Sequence, residues 1–160
     1  MEKVGVFAGS FDPFTKGHLD VVNQARNIFD KIVIGIGVSG TKKALFSFEQ
    51  RKEIIKQIFS DDDAIEVDFF SGLVVDFAKA HKAKALIRGL RTETDFSYEL
   101  PMALTNKKLS PELETVFFPT ASEYAFVSSS IVRELWSHGG DTSSFVPKEV
   151  QAFIELKNRD

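Results

Sequence analysis

The sequence contains no cysteine, and that absence removes a disulfide scaffold, thiolate catalysis and Cys-ligated zinc together. It also lacks a basic excess. Lys and Arg number 20 against 23 Asp and Glu, a net charge of −3, so no nucleic-acid partner is expected, because proteins that live on phosphate backbones carry surplus positive charge. No run approaches the ~18 consecutive apolar residues of a membrane span. The first residues, MEKVGVF, pass straight into a strand-like run without a long apolar leader. A cytoplasmic chain with no membrane partner is therefore expected. Histidine occurs only at the dispersed positions His18, His81 and His138, which argues against a His-rich metal centre. His81 and His138 read as helix C-terminal residues, where the dipole favours a cation.

Several motifs are missing as well. No G-x-x-x-x-G-K-[ST] occurs, which excludes a P-loop, and no G-x-S-x-G occurs, which excludes a nucleophile elbow. A formal G-x-G-x-x-G at 35–40 lies largely inside a strand-like run, and no helix opens at its last glycine. It does not read as a dinucleotide loop. Asp61, Asp62 and Asp63 read as a solvated turn, since consecutive side chains do not converge on a metal.

What is present is a 160-residue chain with 43% hydrophobic residues, the size of one domain (1–160) that buries roughly 70% of its unfolded surface. Strand patterns at 4–8, 31–38, 64–69, 84–87 and 113–118 alternate with helix patterns at 18–29, 47–59, 73–81, 92–109 and 128–138. The fourth helix is expected to be interrupted near Pro101. The fifth stops at Gly139-Gly140. A last helix, about 147–157, opens with Pro147 in its first turn. Ser47 and Gln50 have capping-box spacing. Alternation of this kind predicts an α/β fold with a doubly wound, five-stranded parallel sheet.

In such sheets ligands bind outside the carboxyl ends of the strands, near the reversal of strand order. That rule selects three segments. The loop GSFDPFTKGH at 9–18 places small residues Gly9 and Ser10 where backbone amides can approach a phosphate, and Gly17-His18 at a helix N-terminus. It also reads as a plain βα turn with a surface histidine. Arg88-Gly89-Leu90-Arg91 offers two guanidiniums suited to bidentate phosphate contacts, or two exposed arginines paired with Glu93 or Asp95. Ser128-Ser129-Ser130 opens a helix and reads either as an anion pocket or as a simple N-cap. Lys42 and Lys43 could bring positive charge to the same rim or remain solvated. Cations, amides and hydroxyls without an activated nucleophile suit phosphoryl or nucleotidyl transfer, where positioning and charge stabilisation dominate.

Thr15-Lys16-Gly17-His18 resembles the (H/T)-x-G-H signature of the nucleotidyltransferase superfamily. With RGLR at 88–91 and VSSSIVRE at 127–134, nearly the whole chain resembles the bacterial phosphopantetheine adenylyltransferase family. The resemblance implies a Rossmann-like fold and transfer of the adenylyl group of ATP to 4'-phosphopantetheine, giving dephospho-coenzyme A and pyrophosphate by direct in-line attack. It implies that His18 and Lys42 stabilise the transition state and that Ser10 and Lys42 contact phosphates where the substrates meet. Phe11, Gly89, Leu90, Arg91 and Glu99 would line the ATP site. Tyr124, Ala125, Phe126, Val127, Ser128, Ser129 and Ser130 would hold adenine and the outer phosphates. Leu73, Val74, Arg88 and Asn106 would face the pantetheine arm. The family typically uses Mg²⁺ carried on substrate phosphates rather than a protein metal site, forms homohexamers and is inhibited by coenzyme A. Ser10 stands where threonine is frequent and keeps the hydroxyl; Tyr124 stands where tryptophan is frequent and keeps a ring to stack on adenine. The alternatives are a sister enzyme with another phosphate acceptor and a non-catalytic nucleotide-binding module on the same fold.

Overall fold

Strands and helices alternate along the computed structural model, which describes residues 1–40 and 43–160. The order is β1 (Val4–Gly9), α1 (Lys16–Ala25), β2 (Lys31–Gly37), α2 (Phe48–Ile58), β3 (Ile65–Phe70), α3 (Val74–Ala80), β4 (Ala85–Leu90), α4 (Glu93–Leu109), β5 (Glu114–Pro119), α5 (Ser129–Ser137) and α6 (Lys148–Asn158). The strands form one parallel sheet in the order β3-β2-β1-β4-β5. This is the expected doubly wound arrangement. The chain winds outward from β1 through β2 to β3, returns beside β1 as β4, and ends at β5. Strand order therefore reverses between β1 and β4, which opens a crevice beyond their carboxyl ends.

Each strand alternates its side chains between two cores. Phe7 of β1 and Ile34 of β2 enter the cluster covered by α1, α2 and α6, with Val22, Ile54 and Ile154. Val6 and Val33 enter the opposite cluster, with Phe77, Ala78 and Leu86. Each such side chain contributes about 1.5–3 kcal/mol on burial. Gly35 lies inside β2, as the sequence predicts, and its reason is packing. A Cβ there would come within 2.5 Å of the Phe77 ring.

Helix starts follow local chemistry. Ser47 caps α2, with the reciprocal Gln50 bond the spacing predicts. Four elements, α1, β4, α4 and α6, depart from expectation. α1 begins at Lys16 and stops at Ala25, where short i→i+3 bonds from Asn27 and Ile28 tighten the chain toward β2. β4 continues to Leu90 because its pairing with β5 persists, from Arg88 opposite Phe117 to Leu90 opposite Pro119. Arg88, Gly89 and Leu90 are thus strand residues, not loop. α4 runs unbroken across Pro101; it buries none of its residues, so the carbonyl that the proline leaves unpaired lies on a helix open to water. Pro147 is the N-cap of α6 and precedes the first turn.

His81 and His138 are the C-caps of α3 and α5, as expected. In the acidic turn, Asp62 accepts from the Ala64 amide and pairs with Arg26. No helix among the described residues is long and apolar enough to cross a membrane.

Candidate active site

At the carboxyl ends of β1 and β4 lies a polar cleft of about 330 Å³, walled by the β1–α1 loop, the end of β4 and the start of α5. His18 stands at its floor. The Thr15 hydroxyl accepts the His18 backbone N–H, and the Thr15 backbone N–H donates to His18 Nδ1 at 3.0 Å. This is a capping box in which histidine replaces the usual Glu or Gln. Because Nδ1 must accept, the neutral ring carries its proton on Nε2. No buried side-chain nitrogen or oxygen lacks a partner among the described residues, so Nε2, which has none, opens to the cleft.

The rest of the ring is enclosed by aromatic side chains. Phe7, Phe11 and Phe14 have ring centroids 5.9, 5.0 and 5.3 Å from that of His18. Burial, aided by the charges of Arg91 and Arg88, lowers its pKa from 6.5 to about 3. Phe7, Phe11 and Phe14 are all buried, so the cage is continuous with the core beneath it.

Each arginine of the RGLR segment is held by a carboxylate from α4. Arg88 donates through Nε and Nη2 to the two oxygens of Glu99 at 2.9 and 2.6 Å, and through Nη1 to the Ala8 carbonyl. Arg91 donates to Asp95, and through Nη1 to the Val127 carbonyl at 3.1 Å. Gly89, between them, is glycine for a further reason: a Cβ would lie 2.8 Å from Val21 Cγ2, so the residue lets α1 seat closely on β4.

The three serines do not act alike. Ser128 caps α5 by accepting from the Ile131 amide. Ser129 donates to the Pro13 carbonyl at 2.7 Å, docking α5 on the β1–α1 loop. Ser130 is exposed and accepts from Arg133. The cleft is lined by Ser128 and Ser129, with Ser10, Phe11, His18, Arg88, Gly89, Arg91, Glu99 and Val127. Leu90, Tyr124, Ala125, Phe126 and Ser130 lie outside its lining. Tyr124 ends a 3₁₀ turn at Ser122–Tyr124, and exposed Phe126 packs edge-on against Phe145. Lys42 lies outside the described residues.

A second cleft, about 230 Å³ and mostly apolar, opens on the α4 side of the sheet. Val74 and Asn106, the residues that the resemblance sets against the pantetheine arm, line it together with Phe70, Tyr98 and Met102, which the sequence does not single out. Leu73 is exposed and lies outside that lining. Ala8, Gly9, Arg88 and Glu99 belong to both clefts.

The carboxylates around the polar cleft are already engaged. Asp95 and Glu99 hold the arginines, and Asp12 accepts the amides of Leu45 and Phe46. This donor set fits a metal carried on substrate phosphates. Glu66, Asp68 and His81 gather elsewhere, on edge strand β3 and the end of α3, where Lys31 and Lys52 pair with the two carboxylates.

Comparison with known proteins decides the kinship. The cytidylyltransferase-like family matches residues 6–135. A phosphopantetheine adenylyltransferase from Moorella thermoacetica is 49% identical over 152 residues, covering 95% of each chain. The chain belongs to the phosphopantetheine adenylyltransferase family. A second member, from Lachnoclostridium phytofermentans, is 50% identical over 92% of this chain and 91% of its own. The structure of a bifunctional NMN adenylyltransferase/ADP-ribose pyrophosphatase from Francisella tularensis, complexed with AMP and a manganese ion, superposes with a TM-score of 0.67 at 21% identity. It covers 91% of this chain and 44% of that one, and shows the shared Rossmann-like fold.

Proposed function

We propose that the polar cleft takes ATP, that the apolar cleft takes the pantetheine arm, and that the two substrates meet at Arg88. The reaction is that of the family, ATP plus 4'-phosphopantetheine giving dephospho-coenzyme A and pyrophosphate. The observation that carries this reading is the shared wall: Ala8, Gly9, Arg88 and Glu99 line both clefts. A polar and an apolar substrate bound side by side would present their phosphates to one guanidinium.

An oxygen of the pantetheine 4'-phosphate attacks the ATP α-phosphorus. The new P–O bond forms as the bond from that phosphorus to the bridging oxygen breaks, and pyrophosphate leaves. No side chain forms a covalent bond. His18 donates from Nε2 to the α-phosphate as charge accumulates there, and Arg91, Ser128 and Ser129 orient the nucleotide phosphates. In this reading Ser10 and Lys42 contact the phosphates where the two substrates meet, and Lys42 adds positive charge there. Tyr124 through Val127 border the adenine, and Leu73 meets the arm at the rim. Mg²⁺, bound through substrate phosphates, supplies charge neutralisation on the leaving group.

Self-association belongs to the same proposal. Phe96, Leu100, Met102, Leu104 and Leu109 of α4 are exposed on the single chain, and a homohexamer that covers this helix would bury them. Coenzyme A, which combines a pantetheine arm with an adenosine phosphate, would span both clefts as a feedback inhibitor. The site of action is the cytoplasm.

The test is pyrophosphate release with ATP and Mg²⁺, comparing 4'-phosphopantetheine, nicotinamide mononucleotide and glycerol 3-phosphate as acceptors. Release only with phosphopantetheine is expected. Release with another acceptor overturns the reading of the apolar cleft. Nucleotide binding without release overturns catalysis.

A further inference from the structure

Two charged side chains stand beneath the cleft without lining it. Arg51, on α2, is 2% exposed and Asp12, in the β1–α1 loop, is 5% exposed. Asp12 accepts the amides of Leu45 and Phe46, both at 2.8 Å, and lies 3.4 Å from Arg51 Nε. Arg51 donates through Nε to the Phe46 carbonyl at 3.0 Å and through Nη1 to the Ser10 carbonyl at 3.2 Å. Its guanidinium lies 4.7 Å over the Phe48 ring.

Ser10 and Asp12 flank Phe11, whose φ of 47° is a left-handed conformation unfavourable for a bulky residue. Such a backbone persists only where the surroundings over-determine it, at a typical cost of about 1–3 kcal/mol. Here it turns the Phe11 ring against His18, and Ser10 and Phe11 both line the cleft. Arg51 holds the Ser10 carbonyl on one side of that residue, and on the other side the Asp12 carboxylate is anchored by the Leu45 and Phe46 amides.

We infer that Arg51 and Asp12 form a buried clasp that joins the β1–α1 loop to the segment entering α2 and holds Ser10, Phe11 and His18 in the geometry for adenylyl transfer. Both are positioning residues, since neither borders the cleft. The inference rests on the function proposed above.

Lysine cannot reproduce the fork. Arg51→Lys keeps the charge beside Asp12 but loses the paired, planar donation to Phe46 and Ser10. For this variant kcat is expected to fall about 10- to 100-fold, since small misplacements of a catalytic group act at that scale. The equilibrium affinity for ATP, measured by calorimetry on the same preparation, should change less than about threefold, which is about 0.65 kcal/mol. A merely structural role would lower the melting temperature and leave kcat per folded molecule unchanged, and that result overturns the inference. The unsubstituted chain is assayed alongside, and its inactivity would instead overturn the proposed function. Should Arg51→Lys not fold, Phe48→Leu carries the test, because it removes the ring under the guanidinium at a half-buried site. A kcat lowered at least about twofold with unchanged ATP affinity supports the clasp, since loosened positioning acts on the chemical step; an unchanged kcat overturns it.

Discussion

The backbone N–H of Thr15 donates to Nδ1 of His18 at 3.0 Å, and this bond assigns the proton of the neutral ring to Nε2. The same residue pair starts α1, so the imidazole tautomer and the helix N-terminus are set by one capping box. The aromatic cage then keeps the ring uncharged, which makes His18 a hydrogen-bond donor whose state does not change across the neutral range.

Substituting His18 by alanine removes that donor. Losing one such group typically costs about 10²–10³ in turnover. The His18→Ala protein should therefore lose at least about two orders of magnitude in kcat while its melting temperature moves by less than about 4 °C. Steady-state kinetics beside a thermal melt checks this; full activity removes His18 from the mechanism.

A second consequence concerns acid stability. The unfolded chain takes up a proton at this histidine as pH falls through 6.5, whereas the folded chain does so only near 3. Between those values the unfolded state binds more protons, so folding stability declines on acidification, with a slope from this group of at most about 1.4 kcal/mol per pH unit. Denaturant melts from pH 7 to 4 should show a flatter decline for His18→Ala than for the native sequence. Parallel declines would contradict the neutral, buried imidazole.

Arg88 and Glu99 predict a selective kinetic defect. Arg88→Ala should raise KM for 4'-phosphopantetheine more than about tenfold, the scale of a lost charge-assisted contact. KM for ATP should change far less. Glu99→Gln keeps the size but weakens the hold on the guanidinium, and should raise the same KM by a smaller factor. An unchanged KM for 4'-phosphopantetheine would contradict the position of Arg88 at the junction of the clefts.

Gly89 tests the seat of α1 on β4. Alanine there must displace Val21, at a cost of about 1–3 kcal/mol. Combining Gly89→Ala with Val21→Ala should recover part of that loss, with a coupling of more than about 0.5 kcal/mol in a double-mutant cycle. Additive losses would show that the contact is not the reason for glycine.

Much of this was legible in the sequence, because the signals are local. The β-branched run of β2, the Ser47–Gln50 cap and the terminal histidines of α3 and α5 each follow from neighbouring residues. The reach of β4 to Leu90 was not legible, since it depends on pairing with β5, which is distant in the chain. The same holds for the Asp12–Arg51 clasp and for the separate tasks of Ser128, Ser129 and Ser130. The Thr15–His18 box has a readable signal in its T-x-x-H spacing, although histidine stands where Glu or Gln is usual in a capping box. Tyr98 and Met102 were missed because the apolar residues of α4 follow no single helical face.

The most direct test of direct adenylyl transfer traces the α-phosphate. ATP labelled at that phosphorus is mixed with enzyme, Mg²⁺ and 4'-phosphopantetheine, then quenched in acid during the first turnover. All transferred label should appear in dephospho-coenzyme A, with none bound to protein at any time. Label held covalently on the protein, or released as AMP without acceptor, would contradict the mechanism.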